Sequence, residues 1–206
     1  MGLVQLDATD RSVRFAKPGV MLDLGAIGKG YAIERAAEVL REAGVRSALL
    51  HGGTSSIYAL GLPPNGDQWL VAIENPFVPG QPKRVQTSPK LEPPAESFSA
   101  PSLATVGLKD ESLSVSAISE RFFEAEGKTF GHVLDPRTGV PASNALLAAV
   151  VLPSATETDA LSTALLTLGA SGVPLITTIR PAARTLVLHK GHGELKVDSR
   201  GIIGNA

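Results

Sequence analysis

The sequence contains no cysteine, few aromatic residues and no excess of charge of either sign. The absence of cysteine excludes disulfide scaffolds and cysteine-ligated metal sites. With 19 Lys and Arg against 20 Asp and Glu, and no long basic run, the chain lacks the positive footprint that sequence-independent nucleic-acid binding requires. Nucleic acid is therefore not expected as a partner.

Long apolar runs are missing as well. No stretch approaches the roughly 18 to 20 consecutive apolar residues of a membrane span, so no transmembrane segment is expected. The residues that follow Met1 show no charged or apolar leader pattern, and the chain as given is expected to be soluble and untargeted. Because a chain without cysteine suits oxidising and reducing compartments alike, composition leaves the location of the protein unknown.

The 206 residues, 43% of them hydrophobic, suit one domain with a sizeable core. Apolar and polar residues alternate, or apolar runs occur, in the predicted strands near residues 4–6, 13–15, 20–24, 47–50, 69–73, 113–117, 145–152, 185–189 and 194–197. Helical spacing predicts one helix around residues 33–40, a second after Ser154 that ends at Gly169, and a third around residues 173–179. The spacing of Ser154 and Glu157 is that of a capping box. This mixture predicts an α/β (α+β) fold with mixed, mainly antiparallel sheets and packed helices.

Proline is concentrated in one stretch. Seven of the fifteen prolines lie from Pro76 to Pro101, mixed with Ser, Gln, Lys and Glu. Such a composition cannot bury enough apolar surface to order itself, so residues 76–101 are predicted to be a flexible insert that proteases cut rapidly.

A glycine-rich loop, Gly25 to Gly30, precedes the first predicted helix. Its spacing matches neither the P-loop nor the dinucleotide-binding fingerprint. Two interpretations remain open for it. The loop presents backbone N–H groups to an anion, with Lys29 beside them, or it is a tight connection with a solvated lysine.

Asp159 and Thr163 stand four residues apart on the second predicted helix, so their side chains project from one face. Together they could supply oxygen ligands to Mg²⁺. The alternative is structural, because an Asp in the first helical turn is stabilised by the helix dipole and a helical Thr often bonds its own backbone.

His132 lies close to Asp135, Arg137 and Thr138 on a turn constrained by proline and glycine. This cluster suits a general base beside a phosphate. The alternative is a purely structural turn in which Arg137 pairs with Asp135. The other histidines are weaker candidates: His51 precedes two glycines, and His189 and His192 are interpreted as solvated turn residues.

Together, three ordered motifs closely resemble the ApbE family of FAD:protein FMN transferases. They are Leu22-Asp23-Leu24-Gly25-Ala26-Ile27-Gly28-Lys29-Gly30-Tyr31-Ala32, His132-Val133-Leu134-Asp135-Pro136-Arg137-Thr138-Gly139 and Thr158-Asp159-Ala160-Leu161-Ser162-Thr163-Ala164. The resemblance extends from the first two predicted strands, interpreted as a hairpin or meander, to the end of the chain and corresponds to the C-terminal two thirds of the family. It implies an ApbE-like core over residues 1–206 that lacks the family's N-terminal flavin-binding segment.

The resemblance implies an activity and a set of residues for it. With Mg²⁺ as cofactor, FMN would pass from the substrate FAD to a Ser or Thr hydroxyl of an acceptor protein, with release of AMP. The implied residues are His132 as the catalytic base; Asp23, Lys29 and the backbone at Val133 as nucleotide contacts; and the Ala26 carbonyl, Asp159 and Thr163 as metal ligands.

The acceptor implied by the resemblance carries Asp-x-x-Ser/Thr-Gly-Ala-Ser/Thr. The nearest run in this chain places Pro141 where the modified hydroxyl belongs, so the acceptor is expected on another protein. The family is also typically exported, which implies a periplasmic or membrane-anchored lipoprotein, although this chain carries no signal for it.

Two departures from the family pattern are visible: Glu34 stands where Asp is usual, and His51-Gly52-Gly53-Thr54 replaces an Asn-x-Gly-Gly-Asp segment. The sequence is therefore compatible with two other functions. One is a flavin-, nucleotide- or partner-binding module without catalysis, and the other is an FAD pyrophosphatase in which water replaces the protein hydroxyl.

Overall fold

The computed structural model describes residues 2–53, 55–75, 102–118, 122–125, 128–191 and 194–204. The elements, in chain order, are β1 (Val4–Asp7), β2 (Ser12–Phe15), α1 (Gly28–Glu42), β3 (Ala48–Gly52), β4 (Ser56–Leu60), β5 (Trp69–Glu74), β6 (Ser102–Leu108), β7 (Glu111–Ala117), β8 (Phe122–Ala125), β9 (Lys128–Gly131), β10 (Leu147–Leu152), α2 (Ala155–Leu168), a short 3-10 helix (Gly169–Gly172), α3 (Val173–Ile179), β11 (Arg184–Gly191) and β12 (Glu194–Arg200). The predicted insert at 76–101 and the predicted turn residue His192 lie outside the described residues.

Six strands form a central sheet in the order β12-β11-β10-β7-β4-β3. Every neighbouring pair in it is antiparallel. The predicted fold class, helices packed on mainly antiparallel sheets, is confirmed.

The central sheet is covered on both faces. The antiparallel pair β5–β6 lies over one face and contributes Val71, Ile73 and Val106 to the main core. Helices α1 and α2 lie over the other face, where α1 contacts β3 and β4 and α2 contacts β7 and β10. The result is three layers, with α1 and α2 side by side on the same face.

Alternation along β7 separates two kinds of side chain. Leu113, Val115 and Ala117 join the core under β5–β6, while the serines between them face α2. A serine-lined face would ordinarily be solvated, but a helix covers this one. Ser112 and Ser114 are 0% and 1% exposed.

The prediction of a strand at residues 20–24 is wrong. This segment is irregular, and Met21, Leu22 and Leu24 are exposed. A strand needs a hydrogen-bonded neighbour, and residues 20–24 pair with no strand in the described part of the chain. Strands β1 and β2 pair with each other as predicted, whereas β4, β6, β8 and β9 were not predicted.

The helical run Ala155–Ile179 has the length and the mean hydropathy, 1.5, that a membrane span requires. It is interrupted at Gly169, where φ is +69° and α2 ends as predicted. Leu165 and Leu166 pack with β10 in a second core cluster. These contacts are those of a core helix in a folded domain.

Candidate metal and nucleotide site

The first turn of α1 contacts the carboxylate of Asp159 in α2. The backbone N–H of Gly30 donates to Asp159 Oδ2 over 2.9 Å, although the two residues are 129 positions apart. Lys29 Nζ lies 3.3 Å from Asp159 Oδ1, with the Asp159 side chain 4% exposed and that of Lys29 43% exposed. The structure thus brings together two of the three motifs.

This close approach depends on glycine at position 30. A Cβ there would lie 2.7 Å from Asp159 Cβ and closer still to the carbonyl oxygen of Ala155. The absence of a side chain lets the two helices meet backbone to backbone.

The contact also satisfies a backbone donor at the start of α1. The first N–H groups of a helix have no carbonyl partner within the helix, and that of Gly30 donates to Asp159. The Ile27 carbonyl, at the N-cap, accepts the N–H of Tyr31 at 3.0 Å. Ala26 precedes this cap, so its carbonyl lies outside the hydrogen-bond pattern of the helix and is a candidate ligand.

Asp23 and Lys29 both bond within this loop. Asp23 Oδ1 accepts the N–H of Gly25 at 2.6 Å, which closes a tight turn at the loop entry. Lys29 Nζ donates to the Gly25 carbonyl at 3.4 Å. The two predicted nucleotide contacts therefore stand on either side of one short loop, and Lys29 links it to Asp159.

Beneath Asp159 lies a chain of buried hydroxyl groups that was not predicted. Ser56 Oγ donates to Asp159 Oδ1 at 3.4 Å and accepts from Ser114 at 3.2 Å. The chain continues through Thr158, 3.1 Å from Ser114, to Ser112, which bonds the Ile57 carbonyl at 2.7 Å. In the sequence, the serines at every second position of β7 indicate one polar face of this strand. The alternation does not show whether a helix or solvent covers that face.

Thr163 bonds the backbone of its own helix, which is the structural alternative to metal binding. Its hydroxyl donates to the backbone carbonyl of Asp159 at 3.2 Å, and it lies 3.2 Å from Ser116 Oγ. A hydroxyl oxygen has two lone pairs, so this back-bonding leaves acceptor capacity for a cation.

These donors can be tested against Mg²⁺ by their chemistry. Within the described residues, no group of three or more His, Cys, Asp or Glu side chains is placed to hold a metal. The candidate set is instead one carboxylate, one hydroxyl and one backbone carbonyl. Mg²⁺ prefers oxygen, keeps several waters and typically uses one or two carboxylates with substrate phosphates, so the set fits.

The predicted catalytic motif begins directly after β9, where His132 is exposed. Val133 packs against the core below α2, and its carbonyl accepts the N–H of Ala142 at 2.8 Å. This anchoring holds the backbone at His132 and Val133 in a defined place on the surface.

Arg137 pairs with Asp135, as the structural interpretation of this turn predicts. Its guanidinium binds Asp135, with Nη2 2.6 Å from Oδ2, and donates to the Thr167 carbonyl at 3.2 Å. The hydrogen bonds from Arg137 lower the pKa of the Asp135 carboxyl to about 2. Because Thr167 in turn donates to the Thr163 carbonyl, the motif is fastened to α2 one turn beyond Thr163.

Glu34 forms a second link between α1 and α2. Its Oε2 accepts the Ser154 hydroxyl at 2.9 Å and the N–H of Thr156 at 2.8 Å. Partial burial acts to raise the pKa of Glu34, but the bonds from Thr156 and Ser154 outweigh it and lower that pKa. Only half of the predicted capping box forms, because Ser154 accepts the N–H of Glu157 while the Glu157 carboxylate binds Arg180.

The remaining histidines lie elsewhere. His51 is exposed, with Nδ1 3.3 Å from the Gly53 carbonyl. The prediction of a solvated turn is wrong for His189, which belongs to β11 and lies 2.7 Å from Asp198 on β12. Strand pairing, which a short histidine-containing segment does not reveal, places it there.

Comparison with known proteins identifies the family of this chain. The model of the ApbE family matches residues 1–185, and the chain belongs to this family. A FAD:protein FMN transferase of Klebsiella pneumoniae is 32% identical over 158 residues, which cover 77% of this chain and 40% of that protein. A protein of the same name from Treponema pallidum is 34% identical over 168 residues, which cover 77% of this chain and 41% of that protein.

A solved structure has the same fold. The flavinyl transferase ApbE of Pseudomonas stutzeri, in its apo form, superposes with a TM-score of 0.70 at 25% identity, over 96% of this chain and 54% of that one. The family resemblance of the three motifs is confirmed. This chain spans about two fifths of the length of the two curated relatives.

Proposed function

We propose that this chain forms the magnesium- and nucleotide-binding core of a FAD:protein FMN transferase. The observation that carries the proposal is the meeting of Gly30, Lys29 and Asp159, because it joins an anion-binding loop to an oxygen donor set for Mg²⁺. The names of the relatives support the choice of FAD and a protein acceptor.

The proposed reaction is a substitution at the phosphorus of the FMN half of FAD. The acceptor Ser or Thr oxygen forms a bond to that phosphorus, the phosphoanhydride bond to AMP breaks, and AMP leaves with the electron pair. His132 accepts the hydroxyl proton. Its exposed position suits a base that must reach another protein.

The Ala26 carbonyl, the Asp159 carboxylate and the Thr163 hydroxyl would hold Mg²⁺. When bound, this ion would neutralise negative charge on the pyrophosphate of FAD. Asp23 shapes the loop that faces the nucleotide, Lys29 offers an ammonium to its phosphates, and the backbone at Val133 borders it.

The direct test incubates the purified chain with FAD, Mg²⁺ and a peptide that carries Asp-x-x-Ser/Thr-Gly-Ala-Ser/Thr. Mass spectrometry should detect an FMN adduct on the peptide, and chromatography should detect an equal amount of AMP. His132→Ala should still bind FAD by calorimetry, while transfer falls by about two to four orders of magnitude. His189→Ala is the matched control and should transfer normally, because its imidazole contacts Asp198 on β12.

The same assay separates the alternatives. Equal transfer by the wild type and His132→Ala would remove the base assignment. Release of FMN and AMP without an adduct would identify an FAD pyrophosphatase. An adduct on the chain itself would overturn the assignment of the acceptor to another protein.

A second candidate is a nucleotide-binding module without catalysis, because the contacts among Gly30, Lys29 and Asp159 serve binding and do not themselves transfer a group. FAD binding in the absence of transfer and hydrolysis would establish this function. Asp159→Ala should lose Mn²⁺ binding in either case, and unchanged affinity would remove the metal role.

A further inference from the structure

Asp159 is a buried carboxylate with a lysine as its neighbour. Its side chain is 4% exposed, and Lys29 Nζ lies 3.3 Å from Oδ1. The other contacts of the carboxylate are neutral donors, the N–H of Gly30 and the hydroxyl of Ser56. A buried carboxylate without a positive partner is costly, and Lys29 supplies that charge in the described part of the chain.

The Mg²⁺ proposed above would use the same carboxylate. Two cations cannot both lie against one carboxylate oxygen without mutual repulsion, because like charges a few ångströms apart repel each other near a protein surface. We infer that Lys29 competes with the divalent cation for Asp159 and thereby sets the affinity of the metal site. This inference rests on the proposed function, because it requires Asp159 to be a metal ligand.

Lys29 is suited to such a role by its stem and its exposure. The ammonium sits on a flexible four-carbon chain, and 43% of the side chain is exposed, so it can leave Asp159 without unpacking the core. A pyrophosphate offers the ammonium another anion. A nucleotide whose pyrophosphate binds Lys29 would draw this lysine away from Asp159. The metal ion would then bind Asp159 more tightly when the nucleotide is present.

The test measures the affinity of Mn²⁺ alone, without nucleotide, by electron paramagnetic resonance or calorimetry. Lys29→Met should bind Mn²⁺ about tenfold more tightly than the wild type, because the competing charge is gone. Lys29→Arg keeps the charge and should resemble the wild type. Lys109→Met is the matched control, an exposed lysine in the turn between β6 and β7, and it should leave the affinity unchanged.

Circular dichroism of each variant establishes that it is folded before titration. Equal or weaker Mn²⁺ binding by folded Lys29→Met would overturn the inference. Tighter binding by this variant, in a chain that shows no FMN transfer, would support the inference while the proposed function fails. Transfer by the wild type, combined with unchanged Mn²⁺ affinity in Lys29→Met, would remove the inference alone.

Discussion

Replacing Gly30 by alanine would test the contact between α1 and α2 on which the site depends. The added Cβ would lie 2.7 Å from Asp159 Cβ and nearer still to the Ala155 carbonyl oxygen. Neither is the end of a flexible side chain, so the helices themselves must move apart. The movement would also lengthen the bond from the Gly30 N–H to Asp159, which is now 2.9 Å.

The loss of stability caused by Gly30→Ala can be estimated from its two parts. Overpacking a close contact typically costs 1–3 kcal/mol, and loss of a hydrogen bond to a charged group about 1.5–3 kcal/mol. Because the two effects overlap, we expect Gly30→Ala to lower the free energy of unfolding by about 2–4 kcal/mol. In a chain of this size that loss corresponds to a fall in Tm of roughly 5–15 °C.

Gly28→Ala is the matched control on the same helix. The nearest atom to its added Cβ is Leu24 Cβ at 3.8 Å, an ordinary van der Waals distance. Alanine favours a helix over glycine by roughly 0.5–1 kcal/mol, so this variant should be as stable as the wild type or slightly more so.

Urea unfolding followed by circular dichroism gives the free energies, and Mn²⁺ titration reports on the site. Gly30→Ala should be less stable and should bind Mn²⁺ more weakly than Gly28→Ala. If both variants match the wild type in stability and in Mn²⁺ affinity, the close approach of α1 and α2 is not what organises Asp159.

Three further substitutions probe the links around the site. Glu34→Ala should cost about 1–2 kcal/mol at pH 7 in urea unfolding, because α2 loses its partner at Ser154 and Thr156. Since the folded pKa of Glu34 lies below its ordinary value, its contribution is present above pH 4.5 and is lost as the pH falls; a difference from the wild type that persists undiminished at pH 3 would contradict this. Arg137→Ala should raise the pKa of Asp135 from about 2 towards 3.8 in an NMR titration, and an unmoved pKa would show that the guanidinium is not its cause. Ser114→Ala should cost about 1–3 kcal/mol because buried hydroxyls of Ser56 and Thr158 lose a partner, whereas the exposed Ser171→Ala should cost under about 0.5 kcal/mol.

Some features could be predicted because they depend on neighbours in the chain. The apolar stripe of α1, the Ser154 cap and the stop at Gly169 each involve residues within one or two turns. The strand predicted at residues 20–24 failed because the same local pattern also suits an exposed loop. Only a hydrogen-bonded neighbour distinguishes the two, and a neighbour is not a local property.

Local patterns in the sequence suffice for the three motifs and the three helices, and through the motifs for the family. The folded structure is needed to show that Gly30 and Lys29 meet Asp159, and that the serines of β7 face α2 and not water. The difference lies in the range of the interactions. Periodicity and capping act over a few residues, whereas the contact at Asp159 joins positions 129 apart, which the path of the folded chain brings together.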